Sequence, residues 1–272
     1  MELCVDGAPV FLADHGKGLD PARPTVLFVH GAGMDHSVWS LLTRHFAYRR
    51  WNALALDLPG HGRSGGEPRA SVAALADWLW GLIKAVDAPA VTLVGHSMGA
   101  LIGLELAARH RRRIAGLALL GAAARMPVHP DLLAAAAGPG RRAAELICDW
   151  GFGPKGHLGG HQAPGSWMMG HAMRLLERSV GPVLQTDLAA CNAYEDGLAA
   201  AAKVRCPTLV LAGEFDRMAP ARQGARLAEA VSGARFVAVP AAGHMLMVEQ
   251  PDATLDALIE FLHLAEESAR AG

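Results

Sequence analysis

Cysteine is scarce in this chain and never clustered. The four cysteines, Cys4, Cys148, Cys191 and Cys206, are spread over 272 residues without a C-x-x-C pair. Neither a zinc site nor a redox dithiol is therefore indicated, and a reduced, cytoplasmic protein is expected. Net charge is lacking too. With 25 basic and 26 acidic residues the formal balance is -1, which gives no reason to expect a nucleic-acid or anionic-membrane surface. Long apolar runs are also missing. The longest, such as residues 114–124, fall short of the roughly 20 residues that cross a bilayer, so no stable membrane insertion is expected. The N-terminus, Met1-Glu2-Leu3-Cys4-Val5-Asp6, has acids where a secretory signal would be basic and then apolar.

What the chain has in quantity is small and aliphatic residues. At 51% apolar it can bury a sizeable core, as one large α/β domain or a core with a small cap. Its one basic cluster, Arg109, Arg111, Arg112 and Arg113, falls where a helix should end. Cations there offset the helix dipole, so a solvated helix terminus is read in preference to a binding patch.

From about residue 24 onward, strand-like and helix-like segments alternate. Residues 25–29, 52–56, 91–94, 114–120, 208–211 and 235–239 read as strands. The continuous β-rich runs among them suit strands buried on both faces. Residues 37–46, 71–86 and 252–264 read as helices, the first two with Ser37 and Ser71 as N-caps. Leu3–Val5 and Val10–Leu12 suggest a hairpin. This rhythm argues an α/β fold with a mostly parallel sheet flanked by helices. It breaks between residues 125 and 203, where helix-like pieces at 130–137, 141–150, 167–179 and 186–194 surround a Gly- and Pro-rich stretch at 151–160. The expected division is a core of residues 1–124 and 204–272 and a helical lid of residues 125–203.

The chemistry centres on Gly95-His96-Ser97-Met98-Gly99. This G-x-S-x-G pattern lies between a strand and a helix, the context that lifts a serine hydroxyl above a sheet edge. A serine hydroxyl needs a base within hydrogen-bond reach, and the base needs an orienting acid. Just past the strand at 208–211 come Gly213, Glu214 and Asp216; just past the strand at 235–239 come Gly243 and His244. Acid and histidine thus follow the serine in the order this architecture requires. Asp216 is the favoured acid, with Glu214, nearer the strand end, as competitor. The oxyanion of an acyl-transfer intermediate needs N–H donors. Met98, directly after the serine, and Ala32, in His30-Gly31-Ala32-Gly33 after the strand at 25–29, are the candidates.

Together with Asp57-Leu58-Pro59-Gly60-His61-Gly62-Arg63-Ser64, these pieces resemble the α/β-hydrolase superfamily over residues 24 to 250. The resemblance implies an eight-stranded, mostly parallel sheet with its second strand antiparallel, and the lid inserted after the sixth strand. It implies a Ser97–Asp216–His244 triad, an oxyanion hole from Ala32 and Met98, and no cofactor. Serine at the nucleophile argues against haloalkane dehalogenases and epoxide hydrolases, which carry aspartate there. The expected activity is cleavage of a carboxylic ester of a small, largely apolar molecule. A C–C bond hydrolase or a lactonase with the same triad is the runner-up, and a ligand-binding receptor on this scaffold is the reading from another class.

The lid carries Trp150, Phe152, Trp167, Met168, Met169 and Met173, which suit either an apolar pocket or simple packing onto the core. His30, Gly31, His96, Trp167 and Met168 are the residues expected to contact substrate. Arg125, Lys155, Arg174 and Arg178 would suit a carboxylate-bearing substrate, but such residues are more often at the surface. His157 and His161 are four apart across two glycines, with no third ligand, and no metal is expected.

Overall fold

A computed structural model describes residues 1–160, 165–179 and 181–271. In chain order the elements begin with strands β1 (Glu2–Val5), β2 (Ala8–Ala13) and β3 (Thr25–Val29), helix α1 (Ser40–Ala47), β4 (Asn52–Leu56) and α2 (Val72–Val86). Next come β5 (Val91–His96), α3 (Met98–Arg109) and β6 (Ile114–Leu120). Among the described residues, helices α4 (Pro130–Ala137), α5 (Arg142–Gly151), α6 (Pro154–His157), α7 (Met168–Glu177), α8 (Pro182–Ala193) and α9 (Gly197–Ala201) follow before the next strand. The chain then returns through β7 (Thr208–Gly213), α10 (Ala221–Ala230), β8 (Arg235–Val239), α11 (Leu246–Glu249) and α12 (Pro251–Ala271).

The eight strands form one sheet in the order β1-β2-β4-β3-β5-β6-β7-β8. Strand β2 pairs antiparallel with both β1 and β4, and every pairing from β4 to β8 is parallel. The second strand is thus the reversed one, and the helical insertion follows the sixth. Successive strand residues face opposite sides. Leu27 and Val29 join one apolar cluster with α2 and α3, through Leu75, Leu79, Leu101 and Leu104. Val26 and Phe28 join another with α1 and α12, through Leu42, Phe46, Leu258 and Leu262. Both faces are covered, which is why β3 to β7 read as continuous apolar runs.

From β3 the chain first adds β4 on one side and later β5 on the other. That reversal opens a crevice at the carboxyl ends of β3 and β5, where open α/β sheets bind ligands. Local signals set the helix starts. Ser71 accepts a hydrogen bond from the Ala74 N–H (3.1 Å) and caps α2. The segment expected as a helix from Ser37 instead opens with a 3₁₀ turn, His36–Trp39. Its cap is Asp35, whose carboxylate accepts the Ser37 N–H at 2.8 Å. Ser37 is therefore capped and does not cap, because the carboxylate two residues earlier satisfies the same terminus.

Candidate active site

Ser97 sits between β5 and α3 at φ 53 and ψ -117, a backbone conformation that costs about 1–3 kcal/mol for a residue with a side chain. Its two flanking glycines are required by close approach. A Cβ on Gly95 would collide with the carbonyl of Gly99, and one on Gly99 would collide with that of Val29. The β5–α3 turn is thereby pressed onto the end of β3. Met98 is the first residue of α3, so its N–H has no acceptor in the preceding turn and points with the positive end of the helix dipole.

His244 follows β8 and Asp216 follows β7. Nδ1 of His244 lies 2.8 Å from Oδ2 of Asp216. The other Asp216 oxygen accepts N–H bonds from Met218 (2.9 Å) and Ala219 (2.7 Å), which fixes the carboxylate. Glu214 faces elsewhere, accepting the Ala241 N–H at 2.9 Å. A carboxylate only accepts, so Nδ1 of His244 carries a proton, and in the neutral ring the lone pair is then on Nε2. That Nε2 is buried and has no hydrogen-bond partner among the described residues. The loop holding it is pinned to the insertion by the His244 N–H, which donates to the Gly151 carbonyl at 2.6 Å.

The turn after β3 is equally constrained. His30 Nε2 accepts the Leu58 N–H at 3.0 Å, so its Nδ1 carries the proton and donates to the Gly31 carbonyl at 2.9 Å. Burial, aided by the charge of His61, pushes the His30 pKa down to about 4 and keeps the ring neutral. Asp57 accepts from the His36 N–H (2.7 Å), the His36 ring (2.8 Å) and the Arg63 N–H (2.9 Å), and so organises the neighbouring loop.

These loops meet at a cavity of about 580 Å³ whose wall includes Ser97, His244 and Ala32. The insertion supplies Leu132, Ile147, Trp150, Leu188 and Cys191, and the loop after β6 supplies Met126 and Val128. Polar groups on the wall beyond Ser97 and His244 are few, notably Arg217 and His129.

Of the residues expected to contact substrate, His30, Gly31, His96, Trp167 and Met168 are all absent from this wall. His30 and His96 are fully buried behind it and held by hydrogen bonds. Trp167 is 70% exposed, its ring lying over Gly170 on its own helix. Met168 turns into the core beneath α7. Met126, Val128, Arg217 and Met218 do line the cavity without having been singled out from sequence. Their signal was position, since each follows closely on the carboxyl end of β6 or β7. Arg125 pairs with Glu195, Arg174 with Glu177 at 3.0 Å, and Arg178 lies 3.9 Å from Asp35. The ring of His157 approaches the Phe152 carbonyl at 3.2 Å, and His161 lies outside the described residues. Among the described residues no helix is long and apolar enough to cross a membrane.

Comparison with known proteins agrees with this geometry. The family model described as the alpha/beta hydrolase family matches residues 26–257. A pimeloyl-[acyl-carrier protein] methyl ester esterase of Neisseria meningitidis serogroup B is 30% identical over 244 residues, covering 87% of this chain and 92% of its own. Among solved structures, a thermophilic esterase superposes with a TM-score of 0.79 at 26% identity, covering 97% of both chains. The enol-lactonase of Burkholderia xenovorans LB400 gives 0.81 at 25% identity, covering 97% of this chain and all of its own (100%). The chain belongs to the α/β-hydrolase family.

Proposed function

We propose that this protein is a serine hydrolase that cleaves a carboxylic ester of a small, largely apolar substrate. The observation that carries the reading is the state of His244. Asp216 occupies its Nδ1, while its Nε2 is buried and without a partner among the described residues, on the cavity that also holds Ser97. A lone pair kept in that condition suits a general base waiting for a proton.

In this mechanism Ser97 Oγ attacks the acyl carbon as His244 Nε2 takes its proton. Asp216 holds the ring in the required tautomer and stabilises the imidazolium. The N–H groups of Met98 and Ala32 receive the oxyanion. His244 then protonates the leaving alcohol, and in the second half activates the water that releases the acid. Residues 125–203 act as a lid, and their apolar side chains on the cavity wall favour an apolar acyl or alcohol group. The esterase and methyl ester esterase relatives support ester cleavage over C–C cleavage. The enol-lactonase neighbour makes a lactone, which is an internal ester, the second reading.

The test is labelling with a fluorophosphonate, read by intact mass and peptide mapping, followed by turnover of p-nitrophenyl esters and lactones. One adduct on Ser97, with turnover lowered about four to six orders of magnitude in Ser97→Ala, is expected. Near-normal turnover by Ser97→Ala would overturn the mechanism. A folded protein that takes no label would point to a ligand-binding role instead.

A further inference from the structure

Asp187 is a fully buried carboxylate on α8, within the insertion, and nothing in the mechanism above uses it. Its Oδ2 is held by two donors from the core. The Gly33 N–H reaches it at 2.8 Å, and Nε2 of His61 reaches it at 2.7 Å. The second ring nitrogen of His61 lies 3.0 Å from the Pro59 carbonyl. Both nitrogens of His61 thus face oxygens that can only accept, so both carry protons and the ring is an imidazolium. Burial alone would lower the His61 pKa. The bond to Asp187, the Asp187 charge, the Pro59 carbonyl and the Asp57 charge outweigh it and raise the pKa. The neighbouring His30 ring, 5.0 Å away, stays neutral and leaves this charge intact.

This pair ties together three pieces that the sequence keeps far apart. Asp187 belongs to the insertion, His61 to the loop after β4, and Gly33 to the turn after β3. Gly33 is directly bonded to Ala32, whose N–H is the oxyanion donor of the proposed mechanism. Leu188, the next residue on α8, lines the cavity, as does Cys191 one turn further on. The same helix that forms part of the substrate wall therefore grips the turn that stabilises charge in the transition state.

We propose that Asp187 and His61 are a positioning pair, which locks the Gly31–Gly33 turn to α8 and so holds the Ala32 N–H in place for the reaction. The pair touches no reacting atom. It works through the Gly33 N–H, and it makes the donor geometry depend on a seated α8. The inference rests on the serine-hydrolase reading above.

The test compares Asp187→Asn and Asp187→Leu with the parent protein. The substrate is p-nitrophenyl butyrate, and butylboronic acid serves as a mimic of the tetrahedral intermediate. Rates are normalised to Ser97 sites titrated with fluorophosphonate, so unfolded protein does not enter. Asn keeps the size of Asp and one oxygen for Gly33 but loses the charge that holds His61. Leu keeps the bulk and removes every acceptor. The expected result is a fall in kcat of roughly 10-fold for Asn and about 100-fold for Leu, in line with loss of one oxyanion donor. KM should stay within about 3-fold, because only transition-state contacts are lost. Affinity for the boronate should fall by the same factor as kcat. If Asp187→Leu does not fold, Asp187→Asn alone decides. An unchanged kcat, or a raised KM at unchanged kcat and boronate affinity, would reduce the pair to lid packing and overturn the proposal. Failure of the underlying hydrolase reading would show separately, as an unlabelled parent protein or an active Ser97→Ala.

Discussion

His96 donates its Nε2–H to the main-chain carbonyl of His244 at 3.0 Å. The residue before the serine thus holds the backbone of the histidine contributed by a distant loop. A carbonyl only accepts, so Nε2 of His96 carries a proton. Burial, with the neighbouring charge of His244, keeps its pKa well below the usual value. It can therefore stay neutral and hold this bond through the proton exchange at His244 that the proposed mechanism requires.

Replacing His96 tests that support. His96→Leu leaves the buried His244 carbonyl without this donor, at a cost of about 1–3 kcal/mol. A small displacement of a general base costs rate steeply, so kcat should fall on the order of 10-fold or more. His96→Gln retains an N–H donor and should recover most of the loss. Urea unfolding and ester turnover on both variants check this. Equal behaviour of Leu and Gln would show that the hydrogen bond is not what matters.

The strain at Ser97 gives a second prediction. A positive φ is cheap for glycine and costs about 1–3 kcal/mol for serine. Glycine also loses more chain entropy on folding, by about 0.5–1 kcal/mol. Ser97→Gly should thus abolish turnover while raising stability by on the order of 1 kcal/mol. Ser97→Ala, which keeps the strain, should be equally inactive without that gain. Chemical denaturation of the three proteins measures the difference.

Glu249 clamps the His244 loop from the other side. Its two oxygens accept the Gly153 N–H at 2.7 Å and the Gly243 N–H at 2.9 Å, joining the insertion to the residue before His244. An amide offers one acceptor where the carboxylate offers two, so Glu249→Gln must set an NH₂ against a buried N–H. Stability should fall by about 1–3 kcal/mol, with kcat reduced because His244 is less well held. Thermal unfolding alongside turnover provides the check, and an unaffected Glu249→Gln would show that the loop needs no such clamp.

The strands were legible because burial on both faces leaves a plain signature, as at 25–29 and 114–120. The loops bearing Ser97 and Asp216 were legible because each follows such a strand, whereas the loop bearing His244 follows the partly exposed edge strand β8, which its Phe and Val residues still marked. In the insertion, the helix-like pieces at 130–137, 141–150, 167–179 and 186–194 fall on α4, α5, α7 and α8, the last of which starts four residues earlier than its sequence suggests. The short α6 and α9 span 4 and 5 residues, less than two turns, and leave no periodicity to detect. Trp167 looked like a pocket residue because large aromatics favour buried sites. Its direction depends on Gly170 offering its ring a seat on the outer surface, which composition does not reveal. The Asp187–His61 pair was invisible for a different reason. Its partners lie 126 residues apart, and nothing local in either segment points to the other.

The His36–Asp57 pair makes stability depend on pH in a direction that can be worked out. Burial disfavours both charged groups, but their 2.8 Å bond prevails. The His36 pKa is raised, so its contribution is complete below the unfolded value of about 6.5 and is lost as pH rises through the folded value. The Asp57 pKa is lowered, helped by the Arg63 and His36 N–H groups. Its contribution is present above the unfolded value of about 3.9 and disappears as pH falls through the folded value. The pair should therefore stabilise the fold most between those limits. His36→Gln should cost on the order of 1 kcal/mol near pH 5.5 and progressively less as pH rises past neutrality. The buried His61, whose pKa is also raised, keeps an alkaline decline in the variant as well. Urea unfolding of parent and His36→Gln at pH 5.5, 7 and 8.5 supplies the comparison. A difference that stays constant over this range would mean that His36 acts through packing against Phe11, 4.8 Å away, and not through its charge.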